Sequence, residues 1–446
     1  MSPVNPETSQ FKRVLTLKDL VIYGIAFMTP IAPAYIYGYV AGPTGGMLSL
    51  AYLIAMVAMM FSAYSYGRMA AAFPNGGSTY TYTQRAINPQ LGFFAGWAMF
   101  MDYVLVPLIV FMVGASYANA LVPAVPYWVW VLLIAGIITA VNILGIGIAA
   151  KTNQLLVTFM GIIVVIFILF CIRAIVGGGN ETSLFTIAPF FNDESFVLST
   201  IISGAAMACF SFLGFDSITT LSEEAVNPKD DMWKASIISC LVGGLIFISQ
   251  AYVAQLVWPD VTSFSSADTA LFDIAEKAGG AFLATIYTVA IILSTVTAGL
   301  AGQASASRLM FSMGRDEVLP KKFFTHLHPK YKTPVYNILL MGALSVMGAI
   351  FLSAANVAEL MNFGALIGFM FVNLSVIVHY YFRQKEKKFI KYFLIPALGF
   401  MICLFLFINL SSFTLTVGAI WLAIGLVYAL IRTKGFTKKA VVFSEM

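Results

Sequence analysis

Cys209-Phe210-Ser211-Phe212-Leu213-Gly214-Phe215-Asp216 is the stretch on which the reading of this chain turns. It lies inside a long apolar segment, yet it ends in a carboxylate and is followed by Glu223 and Glu224. A charged side chain near the centre of a bilayer costs about 2.5–3.5 kcal/mol on insertion scales, so an acid here needs a purpose. Ser211 and Gly214 flank the turn, and both are residue types that let a helix open and bare its backbone. A broken helix carrying an acid has the form of an ion or substrate site, not of a lipid-facing span.

The composition around it agrees. The chain has 446 residues, 60% hydrophobic and 10% charged, where soluble domains carry about 25% charged residues. This describes a polytopic membrane protein. The apolar runs are continuous and lack a ten-residue alternation, which favours helices over a barrel. Runs of about 20 residues, enough to cross a hydrocarbon core of about 30 Å, number twelve. They cover 17–41, 46–72, 91–122, 125–149, 152–178, 195–222, 233–258, 281–309, 335–354, 357–382, 389–411 and 413–433. An even number puts both termini on one side of the membrane. With the N-terminus in the cytoplasm, every one of the 25 Lys and Arg except Arg173 and Lys277 lies inside, as the positive-inside rule asks.

The net charge of +5 is therefore topological, and the basic residues form no stripe that would bind nucleic acid. Cys171, Cys209, Cys240 and Cys403 are scattered without a CxxC pair. They read as small buried hydrophobes, so no metal site, disulfide or cofactor is expected. Met1 to Leu20 is polar and shows no cleavable signal pattern, so the first span is expected to direct insertion itself. The outer connections 179–194 and 259–280 are too short for a core of their own. The sequon Asn180-Glu181-Thr182 carries meaning only in a secretory eukaryotic context. His326 and His328, before Pro329, read as part of a solvated loop.

A second interruption appears in the first span, Tyr23-Gly24-Ile25-Ala26-Phe27-Met28-Thr29-Pro30-Ile31-Ala32-Pro33. Its two prolines remove backbone donors and clash with the preceding turn. Interrupted segments at corresponding positions of two halves point to a midplane transport site; a pair of ordinary kinks is the plainer alternative. The first ten spans divide into halves of five, about 17–178 and 195–382. A transport core at 1–382 and a peripheral pair of helices with a cytoplasmic tail at 383–446 follow from that division.

Of the 20 acidic residues, only Asp102 and Asp216 fall well inside spans, and no Lys or Arg lies deep enough to neutralise them. Two buried acids without built-in cations invite a substrate ammonium, a metal ion or protons. For Asp102 an equal alternative is a structural acid bonded to nearby hydroxyls or backbone. An ammonium is satisfied by one carboxylate and a few carbonyls, which an opened helix supplies. In span eight, Ser294, Thr295, Thr297, Gly299, Gly302, Gln303, Ser305 and Ser307 form a small, polar stretch. Close helix packing and a polar cavity lining explain it equally well.

These stretches resemble the amino acid–polyamine–organocation transporter superfamily, and within it the bacterial putrescine importers. Cys209 to Pro228, CFSFLGFDSITTLSEEAVNP, carries most of the likeness. Phe73 to Trp97, FPNGGSTYTYTQRAINPQLGFFAGW, resembles the family's loop into span three. Ala301 to Pro320, AGQASASRLMFSMGRDEVLP, and Asn362-Phe363-Gly364 add to it. The resemblance implies an all-α LeuT-like fold: ten core helices in a 5+5 inverted repeat, helices 1 and 6 interrupted, and two peripheral helices. It implies that Ala26, Thr29 and Pro30 lie where the opened first span holds the substrate's polar head. Phe210 matches the aromatic that packs on the substrate, Leu213 the neighbouring apolar wall, and Asp216 the acid. Thr297 takes the position of a gating aromatic, and Tyr103 matches a tyrosine thought to take part in transport.

Three departures bear on the cargo. Tyr35 stands where such importers carry a second acid. Met160 stands where some superfamily members carry a proton-carrying lysine, with Lys151 nearer the inner end, which leaves Asp102 or Asp216 as the proton carrier. Met28-Thr29-Pro30 replaces the usual glycine-rich opening, which favours an amine over an α-carboxylate because Pro30 offers no N–H. The expectation is a multi-pass protein of the bacterial plasma membrane that imports a small amine by alternating access with a coupling proton. An amino acid permease or exchanger is the alternative. Glu223 and Glu224 are expected at the inner gate. Nothing suggests a channel filter, and the absence of clustered His or acids in spans argues against an enzyme.

Overall fold

The computed structural model describes residues 13–74, 79–145, 150–177, 183–315 and 319–433. Among these the protein is almost wholly helical, with a single isolated parallel bridge, Leu15 to Ala225, in place of any sheet. The first span is divided into α1 (Leu17–Met28), a 3₁₀ turn (Ala32–Tyr35) and α2 (Tyr37–Ala41). There follow α3 (Leu48–Ala72), a short α4 (Thr79–Ala86), α5 (Pro89–Leu121), α6 (Tyr127–Leu144) and α7 (Ala150–Gly177). The sixth segment is α8 (Leu198–Ala208) with two 3₁₀ stretches, Cys209–Phe212 and Phe215–Leu221. Then come α9 (Pro228–Val257), α10 (Ala270–Arg315), α11 (Lys321–Phe324) and α12 (Val335–Phe351). The last three are α13 (Ala354–Val376), α14 (Ile395–Ile408) and α15 (Ser412–Thr433).

Local chemistry sets several boundaries. Asn88 caps α5 by accepting the Leu91 N–H (2.8 Å), with Pro89 at the first helical position where no donor is needed. Gly280 sits at φ 64°, ψ −165° and breaks α10 into a short first piece and a long second one. Among the described residues eleven segments are long and apolar enough to cross a membrane. The run expected at 335–354 forms α12, which is apolar but, at 17 residues, shorter than the other spans. The chain turns extended at Leu352, and Ser353 caps α13 by accepting the Asn356 N–H. Seventeen residues are at the short end of what spans a bilayer. The sequon at 180–182 and the side chain of Lys151 lie outside the described residues.

Packing follows a regular scheme. α1 packs on the 3₁₀ stretch Phe215–Leu221, α3 on α9, α5 on α10 and α6 on α12. In the numbering of spans, each of these contacts joins a span to the one five further on. α5 and the segment Ala354–Arg383 are largely buried, whereas α6, α7, α14 and α15 turn most of their apolar surface outward. That is where a lipid-facing shell belongs. The approach of α13 to α5 depends on Gly364, where a β-carbon would come within 2.4 Å of the Ala98 carbonyl oxygen. α15 is clasped to α5 by Trp97 and Trp421, each of whose indole N–H groups donates to the other's carbonyl at 2.9 Å while the rings stack.

The N-terminal arm closes on the far end of the sixth segment. Val14 and Leu15 N–H groups donate to the Glu224 carbonyl (2.9 and 3.0 Å), and the Val226 N–H donates to Leu15 (2.9 Å). Thr16 and Asp19 then form a capping box that starts α1.

Candidate functional site

The two interruptions meet. α1 stops at Met28 because Pro30 can neither donate to the ladder nor tolerate a helical residue before it. Thr29 instead takes φ 58°, ψ 109°. In the sixth segment Leu213 leaves the helix, and Gly214 takes φ +116°, a conformation that favours glycine. A β-carbon on Gly214 would stand 3.0–3.1 Å from the carbonyl carbon and oxygen of Phe27. The breaks are therefore packed backbone to backbone.

Breaking two helices strands carbonyls, and buried side chains answer them. Gln250, fully buried in α9, donates to the Pro30 carbonyl (2.8 Å) and accepts from the Tyr287 hydroxyl (3.3 Å). Asn362, fully buried in α13, donates to the Ala206 (3.0 Å) and Met207 (3.2 Å) carbonyls at the end of α8. Tyr117 donates to the Ala34 carbonyl (3.0 Å), and Tyr52 shares a hydrogen bond with Ser211 (2.9 Å). The sequence reading assigned no site role to Gln250, Asn362, Tyr117 or Tyr52; the signal available was a polar residue in the middle of an apolar run. Asn362→Ala removes the buried side-chain donor from both carbonyls. It is expected to cost about 1–3 kcal/mol, seen as a lower melting temperature of the purified protein in detergent.

Asp216 begins the 3₁₀ stretch after the break, and its Oδ1 accepts the Gly214 N–H at 3.3 Å. Tyr23, Tyr66, Tyr82, Tyr103, Cys240 and Asp102 all lie within electrostatic reach of it. Among the described residues neither Asp216 nor Asp102 forms an ion pair. Phe27 is 47% and Tyr103 36% exposed. On the other side of the breaks, Tyr35 and Phe210 are nearly buried, meeting edge to face with centroids 6.1 Å apart. There Tyr35 shares a hydrogen bond with Ser294 (2.9 Å), and Tyr39 donates to Asp268. A β-carbon at Gly38 would lie 2.4 Å from the Ala267 carbonyl oxygen, so α2 sits tightly on the turn Ala267–Thr269. This face is sealed.

The other expected residues fall as follows. Ala26 and Leu213 flank the breaks and are half-buried; the Ala26 carbonyl accepts the Thr29 N–H (3.2 Å). Pro30 is buried with its carbonyl taken by Gln250. Thr297 is half-buried, and its hydroxyl donates to Leu293 of its own helix (2.7 Å). The span-eight stretch serves close helix packing, with its buried polar groups bonded to neighbouring segments. Gly299 and Gly302 admit Ile138 and Val106, whereas Ser294 meets Tyr35 and Gln303 donates to Thr139 and Ile338. Glu223 and Glu224 lie past the 3₁₀ stretch, half-buried, where the N-terminal arm bonds the Glu224 backbone. His328 Nδ1 accepts two backbone N–H groups and His326 stacks on Tyr336. No cluster of metal-ligating side chains occurs among the described residues.

Comparison with known proteins agrees with this architecture. Residues 19–444 match the family model described as "Amino acid permease". The chain is 37% identical over 443 residues to the low-affinity putrescine importer PlaP of Escherichia coli (strain K12), covering 97% of each. It is 27% identical to the branched-chain amino acid permease BcaP of Bacillus subtilis (strain 168), over 96% of this chain and 94% of that one. It is 28% identical to the methylthioribose transporter of the same organism, over 96% and 95%. With a family model spanning nearly all its length and a relative this similar end to end, the chain belongs to the amino acid permease family of the amino acid–polyamine–organocation superfamily and is a multi-pass membrane transport protein, not an enzyme.

Proposed function

We propose that this protein imports a small organic amine, putrescine, another polyamine or a related monoamine, across the bacterial plasma membrane by alternating access. The observation that carries the reading is Asp216, an acid set into a backbone break with no cation beside it among the described residues. A substrate ammonium supplies that charge, and carbonyls of the opened first span, around Ala26 and Thr29, complete its hydrogen bonds. Phe210 and Tyr103 close around the carbon chain, and Leu213 lines its side. Similarity to a putrescine importer over nearly the whole chain supports the same class.

The pairing of spans five apart supports a LeuT-like inverted repeat of ten helices with two outer ones, α14 and α15. In that frame the site, where Phe27 and Tyr103 keep part of their surface open, faces the side holding the N-terminal arm, read as the cytoplasm from the distribution of Lys and Arg. Thr297 takes the place of a larger gate residue, and Glu223 and Glu224 frame the inner exit. A coupling proton is carried by one of the two buried acids.

A second reading, an amino acid permease or exchanger, is favoured by the branched-chain amino acid permeases among the relatives and by Tyr35 at the outer wall. Uptake into proteoliposomes decides between them. Labelled 1,4-diaminobutane or a monoamine is expected to accumulate, more strongly with an inward proton gradient, and zwitterionic amino acids are expected not to compete. Competition by amino acids and indifference to amines would select the second reading.

A further inference from the structure

Two aspartates on different elements of the protein lie within electrostatic reach of each other. Asp216 stands on the broken sixth segment. Asp102 stands on α5, whose backbone is pinned against α13. A β-carbon at Gly364 would come within 2.4 Å of the Ala98 oxygen and 3.6 Å of the Asp102 nitrogen. Asp102 Oδ1 is buried and has no hydrogen-bond partner among the described residues. A structural acid would be bonded to hydroxyls or backbone, and this one is not. The charged group that reaches it is Asp216, a second carboxylate. Tyr103, the next residue along α5, keeps 36% of its surface open and is within electrostatic reach of both. Two acids sharing a poorly solvated space cannot both stay ionised without cations. A ligand with one positive charge answers only one of them.

Building on the amine reading above, we infer that Asp102 is the second ammonium acceptor. A linear diamine bridges Asp216 on the broken helix to Asp102 on α5, its methylenes lying along the Tyr103 ring. The assignment makes Asp102 the residue that selects two-headed amines. A monoamine leaves one carboxylate unanswered, and a zwitterion turns its own carboxylate toward an acid. It also gives the ligand a mechanical role, because one molecule joins the breaks to the helix on which they move.

Thermal-shift titration of the purified, full-length protein with 1,4-diaminobutane and 1-aminobutane tests this, since a ligand of the native state raises its apparent stability. The wild type is expected to prefer the diamine. Asp102→Asn, nearly isosteric, is expected to reduce that preference about 10- to 100-fold, the range for a lost charge-assisted hydrogen bond. Asp102→Glu, which keeps the charge on a longer arm, is expected to retain it and to shift the optimum in a series of α,ω-diamines toward a shorter chain. Equal weakening of both amines by Asp102→Asn, or an undiminished diamine preference, overturns the assignment while the amine reading stands. If the wild type binds neither amine and zwitterionic amino acids stabilise it, both fall together.

Discussion

Proteoliposomes carrying Asp216→Asn are expected to lose uptake of the labelled amine by about 100-fold or more. The substitution keeps the shape and removes the charge, and it turns an amide N–H₂ toward an ammonium that needs an acceptor. Hydrogen bonds to a charged partner contribute about 1.5–3 kcal/mol each, and a factor of ten corresponds to about 1.4 kcal/mol. Loss of the ion pair in a space with little water adds to this. Fold stability is the control. The Asp216 carboxylate bonds to backbone N–H groups of its own turn, Gly214 among them, so the melting temperature should move little. Uptake at wild-type levels would remove Asp216 from the site.

The second large effect belongs to Gly214→Ala. At φ +116° an L-residue is strained, by about 1–3 kcal/mol in sparsely populated regions of backbone space. The added methyl would also press on the Phe27 carbonyl from 3.0 Å, and a backbone atom cannot swing aside as a side-chain tip can. The strain is relieved only by separating the two breaks, which displaces Asp216 from the first span. Uptake is expected to fall at least about 10-fold, with weaker binding of the amine in thermal shift. Ala at 214 with unchanged affinity would mean that the close contact between Phe27 and Gly214 has no part in the site.

The breaks themselves were legible in the sequence because their causes are local. Pro30 cannot join a helix, and Gly214 between bulky neighbours marks a departure from one. The positions of Asp102 and Asp216 were equally plain, since acids inside apolar runs stand out by type alone. What stayed hidden was partnership across long distances. Gln250 and Pro30 are 220 residues apart, and Asn362 and Ala206 156; a polar residue in a span announces that it has a partner without naming it. Nor did the run of small polar residues in span eight say which face each would take. The partners appeared only when α5 and α6 packed on Gly302 and Gly299 and Tyr35 met Ser294. The last shortfall concerns only a boundary: Ser353 serves as the cap of the next helix, so α12 ends at Phe351, three residues before the expected end of the run.

The backbone bridge between Leu15 and Ala225 has a statistical consequence. The arm leads directly into α1, and Ala225 follows directly on the sixth segment, so the near ends of both broken helices are tied by three main-chain hydrogen bonds. Two independent doors would have four combinations of open and shut, half of them with one door ajar. Doors hinged on a common leaf have two. On the proposed transport cycle, the bridge would disfavour the mixed states by making the two ends move together.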